Sequence, residues 1–418
     1  MRVRGRLPPV MQERDYALLW VALLVMAFAT QMTAVAVGWQ VYAINRNPFD
    51  LGLIGLAEFL PLPLLALPAG HVADRFQRRR VFAVSLVIEI VVACLLLVVT
   101  VAGANQLWPF LVLAAATGVA GSLGAPAGRS IPPEVVSAEL LPSAMALRSI
   151  AGQAAVIVGP AVGGVLFAVQ PELVYGLAMV LLAAGLGCIL ALGSRRLAQT
   201  ESVAERVAGL RGMGAGIGFI RRTPVLLGAI SLDLFAVLFG GAVALLPVFA
   251  RSILHTGPAG LGVLRSAPAV GALVAGAILT RRPLGRNAGR TLLFVVGLFG
   301  LSMVVFGLSR WFALSLVALG VSGFADMISM NIRSTTAALA TPDPLRGRVN
   351  SVENVFISAS NELGAFESGL AAAILGAAPA VVAGGVVTIG IAAIWPRLFP
   401  ALARVDRLED VRPEWEPA

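Results

Sequence analysis

The sequence predicts an all-α polytopic membrane protein, with twelve transmembrane helices in two pseudo-symmetric six-helix halves. Three observations predict it. The 418-residue chain is 58% hydrophobic and only 13% charged, against about 25% charged for a soluble domain, and a large core cannot explain the deficit because a soluble protein must still cover its surface. Twelve apolar runs recur, each near the roughly 20 residues that cross hydrocarbon at 1.5 Å per residue. The arginines fall almost wholly on alternate connections between those runs.

Taken in order, the predicted spans of the first half are 17–40, 51–71, 81–102, 107–128, 142–168 and 173–193. Those of the second are 224–249, 258–280, 291–308, 311–338, 350–376 and 379–396. They must be helical because unpaired backbone groups are costly in lipid. The resulting parts are an N-terminal half over 1–193, a cytoplasmic linker over 194–223, a C-terminal half over 224–397 and a tail over 398–418. Within the linker, Glu201 to Val207 is either a short amphipathic surface helix or plain solvated chain. The tail mixes signs and ends in prolines, which points to disorder or a loose surface helix. The basic N-terminus lacks a small-residue cleavage site, so the first span reads as retained. An echo at an offset of half the chain, "GHVADR" from Gly70 and "GAILTR" from Gly276, supports duplicated halves.

Charge orients the chain. With the N-terminus inside, cytoplasmic segments collect Arg2, Arg4, Arg6 and Arg14, Arg75 and Arg78 to Arg80, the linker arginines, Arg281 to Arg290, Arg346, Arg348 and those of the tail. Outer loops receive only Arg46, Arg251 and Arg310. Both termini are therefore expected in the cytoplasm, and the inner arginines are expected to contact anionic lipid. A formal charge of +9 would suggest nucleic acid only if it formed one exposed domain. It does not, so no nucleic-acid partner is expected. Cys94 and Cys188 have no metal-type spacing, and His71 and His255 make no site. No metal, cofactor or catalytic triad is expected, and no GxxxxGK[ST] loop points to ATP.

"GHVADRFQRRRV", residues 70–81, places Gly70, Asp74, Arg75, Arg78 and Arg79 between the second and third spans. This G-x-x-x-D-R-x-x-R-R spacing resembles the signature loop of the major facilitator superfamily, with Gln77 where a glycine is common. "GQAAVIVGPAVGG", residues 152–164, sets Gly159, Pro160, Gly163 and Gly164 inside the fifth span. It resembles the antiporter motif of drug-efflux members, although ordinary membrane-helix glycine and proline is the alternative. Glycines let helices approach closely, and Pro160 removes a backbone donor. The stretches at 67–81 and 346–369 resemble a bacterial efflux subfamily that includes macrolide and enterobactin exporters. The resemblance implies the major facilitator fold in a bacterial plasma membrane, a working monomer and proton-driven export. In that fold the arginine loop is either a conformational latch, remaking charge-assisted bonds between states, or a topological anchor.

Ionisable groups inside spans are expensive and usually face an interior path. Glu58, Asp233, Asp326 and Glu362 are the proton-coupling candidates, the main alternative for Glu58 and Asp233 being a satisfied interhelical bond. Asp326 and Arg333 share a helix face, two turns apart, too far for a direct bond. Arg333 is either an anion contact or a counter-charge for another helix. Ser351, Asn354, Ser358 and Asn361 form a polar stripe, either a seam against a neighbour or part of the solute path. Gln31, Trp39 and Gln40 are path candidates in the first span, with Trp39 alternatively in the outer aromatic belt. The expected activity is export of an amphipathic organic solute, drug or siderophore-like, by proton antiport through alternating access. The alternatives are a proton-coupled importer and a non-transporting signalling or scaffold protein.

Overall fold

The computed structural model describes residues 8–65, 76–193, 214–282 and 286–410. Their secondary structure is helical throughout. Gly70, Asp74 and Arg75, His71, the linker over 194–213 and residues 411–418 lie outside the described residues. The long helices are α1 (Arg14–Asn45), α2 (Pro48–Phe59), α3 (Arg78–Val101), α4 (Trp108–Ser130), α5 (Leu141–Val169) and α6 (Pro171–Leu190), followed by α7 (Pro224–Gly240), α8 (Gly257–Arg281), α9 (Ala288–Leu308), α10 (Phe312–Ala340), α11 (Asp343–Leu375) and α12 (Ala377–Leu398). Eleven spans among the described residues have the length and apolarity to cross a membrane. The twelfth long helix, α11, has the length at 33 residues but carries the polar stripe and four acids, which lower its apolarity.

Local chemistry sets the ends. Asn47 caps α2 by accepting from the Phe49 amide at 3.0 Å, with Pro48 in the first turn. Arg46 closes α1 in the left-handed region at φ 53°, and its amide donates to the Tyr42 carbonyl. Asn45 Nδ2 then donates to Asp50 Oδ2 at 2.8 Å, so the tight turn between α1 and α2 satisfies its own polar groups.

The contacts repeat. In the first half α1 packs on α5 and α6, and α3 on α4 and α6. In the second, α7 packs on α11 and α12, and α9 on α10 and α12. Leu19, Phe82, Leu86, Leu182 and Ile189 centre one core; Leu232, Leu292, Ile332 and Trp395 centre the other. The chain separates into two compact units, Met1–Ala198 with His255–Ser266, and Gln199–Leu254 with Ala267–Ala418. Exposed faces are apolar: Val84, Val87, Val91, Leu95, Val98 and Val101 run along α3 at helical spacing. A soluble protein would bury that stripe; lipid covers it here.

Three elements differ from the sequence expectation. The seventh span is not one helix: α7 stops at Gly240, Gly241 is extended, and a 3₁₀ turn (Val243–Leu245), a short turn (Leu246–Val248) and a π turn (Phe249–Ile253) complete the crossing. Adjacent glycines and Pro247 weaken the ladder there. Helix α11 begins seven residues earlier than expected because Pro344 suits a first turn. The start of the tail is packed: Leu402 is buried, and the Ala288 and Gly289 amides donate to the Asp406 and Val405 carbonyls at 3.0 Å.

Candidate functional site

The described part of the arginine loop holds the first unit's own helices. Arg78 Nη1 bonds Glu134 Oε1 at 2.7 Å and reaches the Ser130 carbonyl at 3.5 Å. Arg79 donates to the carbonyls of Leu190 and Leu192. These carbonyls lie at the end of α6, where the helix ladder leaves acceptors free and its dipole favours a cation. Arg78 and Arg79 thus tie the start of α3 to the ends of α4 and α6.

The glycine and proline motif of α5 is a close-packing surface. Gly159, Pro160, Gly163 and Gly164 are all buried. A Cβ built on Gly163 would stand 2.8 Å from Met32 Cα, and one on Gly159 2.8 Å from Gln31 Cβ. On Gly164 it would meet the Pro258 carbonyl oxygen at 2.4 Å. Only glycine allows α1 and the start of α8 so close.

Two groups of charge sit within the spans. In the first unit, Glu58 of α2 lies in the field of Arg265, from the N-terminal part of α8, and Glu89 of α3 lies in the field of Glu58. Nothing local in the sequence joins Glu89 to Glu58; α2 and α3 both pack on α4. In the second unit, Arg333 Nη1 and Asp233 Oδ2 form an ion pair at 2.5 Å, with side chains 7% and 10% exposed. Arg333 Nε also donates to Ser329 Oγ at 3.2 Å. Arg333 is therefore a counter-charge for another helix, bridging α10 to α7. Asp326 lies in the field of both members of that pair, as does Glu353 of α11. Asp326 itself is exposed, and with Asp233 and Ser329 it lines a cavity of about 20 Å³.

Helix α11 has two polar faces rather than one. Ser351, Asn354, Ser358 and Asn361 are all exposed, so this stripe is no packed seam. The seam is the neighbouring row of Ser360, Gly364 and Ser368, all buried, with Ser368 Oγ donating to the Gly241 carbonyl at 2.8 Å. Glu362 is half-buried, beside the exposed row and on its far side from the buried one. In α1, Gln31 and Trp39 are half-buried. Gln40 is bound within the unit: its Oε1 accepts from Tyr175 at 2.6 Å, and its Nε2 donates to Thr100 Oγ1 at 3.0 Å. A roomier cavity of about 800 Å³ opens in the second unit between the ends of α8 and α10 and the tail, lined by Thr280, Asn331, Thr335 and Arg407 among others.

The chain matches the profile of the family described as "Transmembrane secretion effector" over residues 5–414. It is similar to the multidrug efflux pump Tap of Mycolicibacterium fortuitum, 28% identical over 355 residues, 81% of this chain and 84% of that one. It is also similar to the enterobactin exporter EntS of Citrobacter koseri, 27% identical over 378 residues and 86% of each chain. Among solved structures, a bacterial homologue of the human lysosomal transporter Spinster, inward-facing and unoccupied, aligns at TM-score 0.71 with 15% identity, covering 99% of this chain and 100% of that one. That likeness is one of fold.

Proposed function

Because the chain belongs to the transmembrane secretion effector family of the major facilitator superfamily, a family of transporters and not of enzymes, we propose that it exports an amphipathic organic solute, drug or siderophore-like, in exchange for protons. The observation that carries the coupling is the contrast within the second unit. Asp233 is locked to Arg333, whereas Asp326 is exposed beside that pair inside a membrane span. An open carboxylate in hydrocarbon depth marks a proton or cation path. Export is favoured by the relatives named as an efflux pump and an exporter.

In this reading the two six-helix halves work as a monomer and expose the solute path alternately to each side. Gln31, Trp39, Asn354 and Asn361 contribute to that path, with Asp326 and Glu58 as coupling carboxylates and Glu362 beside the polar stripe. Asp233 and Arg333 hold the local geometry. Gly70, Asp74, Arg75, Arg78 and Arg79 form a cytoplasmic latch, next to anionic lipid and on the same side as both termini; the arginine asymmetry of the loops supports that placement.

The test uses inside-out vesicles reconstituted with the full chain and screened with drugs and siderophores. Acidifying the vesicle interior should drive solute accumulation, and Asp326→Asn should abolish the dependence on the gradient while the protein remains folded. Accumulation indifferent to the gradient refutes proton antiport, and an Asp326→Asn protein indistinguishable from the parent refutes the assignment of coupling to Asp326. Gradient-driven loss of solute from the vesicles identifies an importer instead.

A further inference from the structure

The break in the seventh span encloses a small cavity of about 10 Å³, lined by Phe239, Gly240, Gly241, Glu367 and Ser368 among others. That is the space taken by one water molecule or one ion of similar size. Its lining is unusual for a membrane interior. Gly240 and Gly241 have no side chains and present only backbone. Helix α7 ends there: the Gly241 amide donates to the Val237 carbonyl, so the carbonyls after Val237 lie beyond the helix's own ladder. The end of a helix carries partial negative charge. Ser368 Oγ spends its proton on the Gly241 carbonyl, leaving its lone pairs as acceptors. Glu367 is half-buried and has no hydrogen-bond or ion-pair partner among the described residues. Ala242, Leu245, Ala371, Ala380 and Val381 complete the lining, so the polar groups left over in this space are acceptor oxygens of negative or partly negative character.

A lone carboxylate in a membrane span is costly, and its surroundings add apolar side chains and further acceptors but no side-chain donor free to bind it. One positive charge neutralises the site, whereas a divalent ion would leave an excess charge in a medium that cannot solvate it. Interrupted membrane helices hold alkali ions in this way, through unwound carbonyls and half-helix C-terminal ends. We infer that the break in the seventh span is a binding site for one sodium-sized alkali cation, held by the Glu367 carboxylate, the Ser368 hydroxyl oxygen and backbone carbonyls at the end of α7. The site is separate from the Asp233, Asp326 and Arg333 group and requires neither a transported solute nor a direction of transport.

Equilibrium binding to the purified full chain in detergent, without any gradient, tests it independently of transport. Thermal unfolding is followed as sodium chloride replaces choline chloride at constant ionic strength, choline being too large for the cavity. Sodium at ten times its dissociation constant should raise the parent's Tm by about 2 °C. Glu367→Gln should remove that rise, and Ser368→Ala should move the midpoint to about tenfold more sodium. No difference between the salts in the parent overturns the inference, as does a Glu367→Gln protein that responds like the parent. Should Glu367→Gln fail to fold, an unchanged midpoint in Ser368→Ala overturns it as well.

Discussion

The two compact units hold their membrane-embedded charge in opposite ways. In the first, Glu58 and Glu89 lie near one another with Arg265 as the nearby cation, and neither acid has a hydrogen-bond or ion-pair partner among the described residues. In the second, Asp233 and Arg333 close to 2.5 Å with almost no exposure. The difference separates acids that hold the fold from acids that are free to change charge. A carboxylate bonded to a buried guanidinium cannot take up a proton without stranding that guanidinium, so Asp233 fits a structural part better than a coupling part. Glu58, Glu89 and Asp326 carry no such obligation.

The sharpest way to break this contrast is to remove one side of the tight pair. Arg333→Ala or Asp233→Ala should each cost about 3–5 kcal/mol, because a buried charge is left alone. Replacing both together by apolar residues of similar volume should recover most of that loss. By comparison, Glu58→Gln removes one of two neighbouring like charges and should hold stability or raise it by about 1 kcal/mol. Thermal unfolding of the four proteins in one detergent decides the matter. If Glu58→Gln falls as far as Arg333→Ala, the two clusters are built alike and the separation of roles is wrong.

The halves also share a device. Tyr175 of α6 donates to Gln40 of α1 at 2.6 Å, and Trp395 of α12 donates to the Gly228 carbonyl of α7 at 2.9 Å. In each case an aromatic from the last helix of a half is tied to its first. The Tyr175 hydroxyl satisfies a side chain that Thr100 also holds, whereas Trp395 satisfies a backbone carbonyl and fills the core of its unit. Tyr175→Phe keeps the ring and removes only the donor, so it should cost about 1–3 kcal/mol if the Gln40 oxygen is stranded. A change well under about 0.5 kcal/mol would mean that Gln40 turns to another donor, which would return it to the solute path.

Much of the fold was legible because lipid imposes one rule on the whole chain. Apolar length located the spans, and the glycine and proline spacing of α5 located a close helix contact that Gly163 and Gly164 realise. What stayed hidden depends on contacts between distant residues. Asp233 and Arg333 are 100 positions apart, and nothing local pairs them; the same holds for Glu58 with Glu89. The break in the seventh span did leave a signal, since Gly240, Gly241 and Pro247 all stand within one apolar run. Apolar length alone passed over it because hydropathy registers side chains and not an interrupted backbone. The second polar row of α11 was passed over for a related reason. Rows at 351, 354, 358 and 361 and at 360, 364 and 368 are adjacent on the helix, and only the neighbour α7 tells the packed row from the open one.

The smallest effect is expected at the surface, where the tail meets the loop before α9. The Asn287 amide donates to Asp406 Oδ1 at 2.8 Å, and Arg286 lies 3.4 Å from the other carboxylate oxygen. The amide first, then the Arg286 and Arg407 guanidinium groups, hold the Asp406 carboxyl below the ordinary value of 3.8. A carboxyl depressed in the folded protein contributes stability that is complete above the unfolded value and is lost as pH falls through the lower folded one. The docked tail should therefore loosen only below about pH 4, with protection of the Ala288 and Gly289 amides against hydrogen exchange falling in that window after correction for intrinsic rates. Asp406→Asn should show reduced protection at every pH and no acid step. Because the pair is exposed and screened by solvent, the change should stay local to 286–289 and 402–407 and leave global unfolding unmoved. An acid step of equal size in Asp406→Asn would place the titrating group elsewhere, and a loss of global stability would mean that the tail supports the second unit's core through Leu402 and Leu408 more than through this carboxylate.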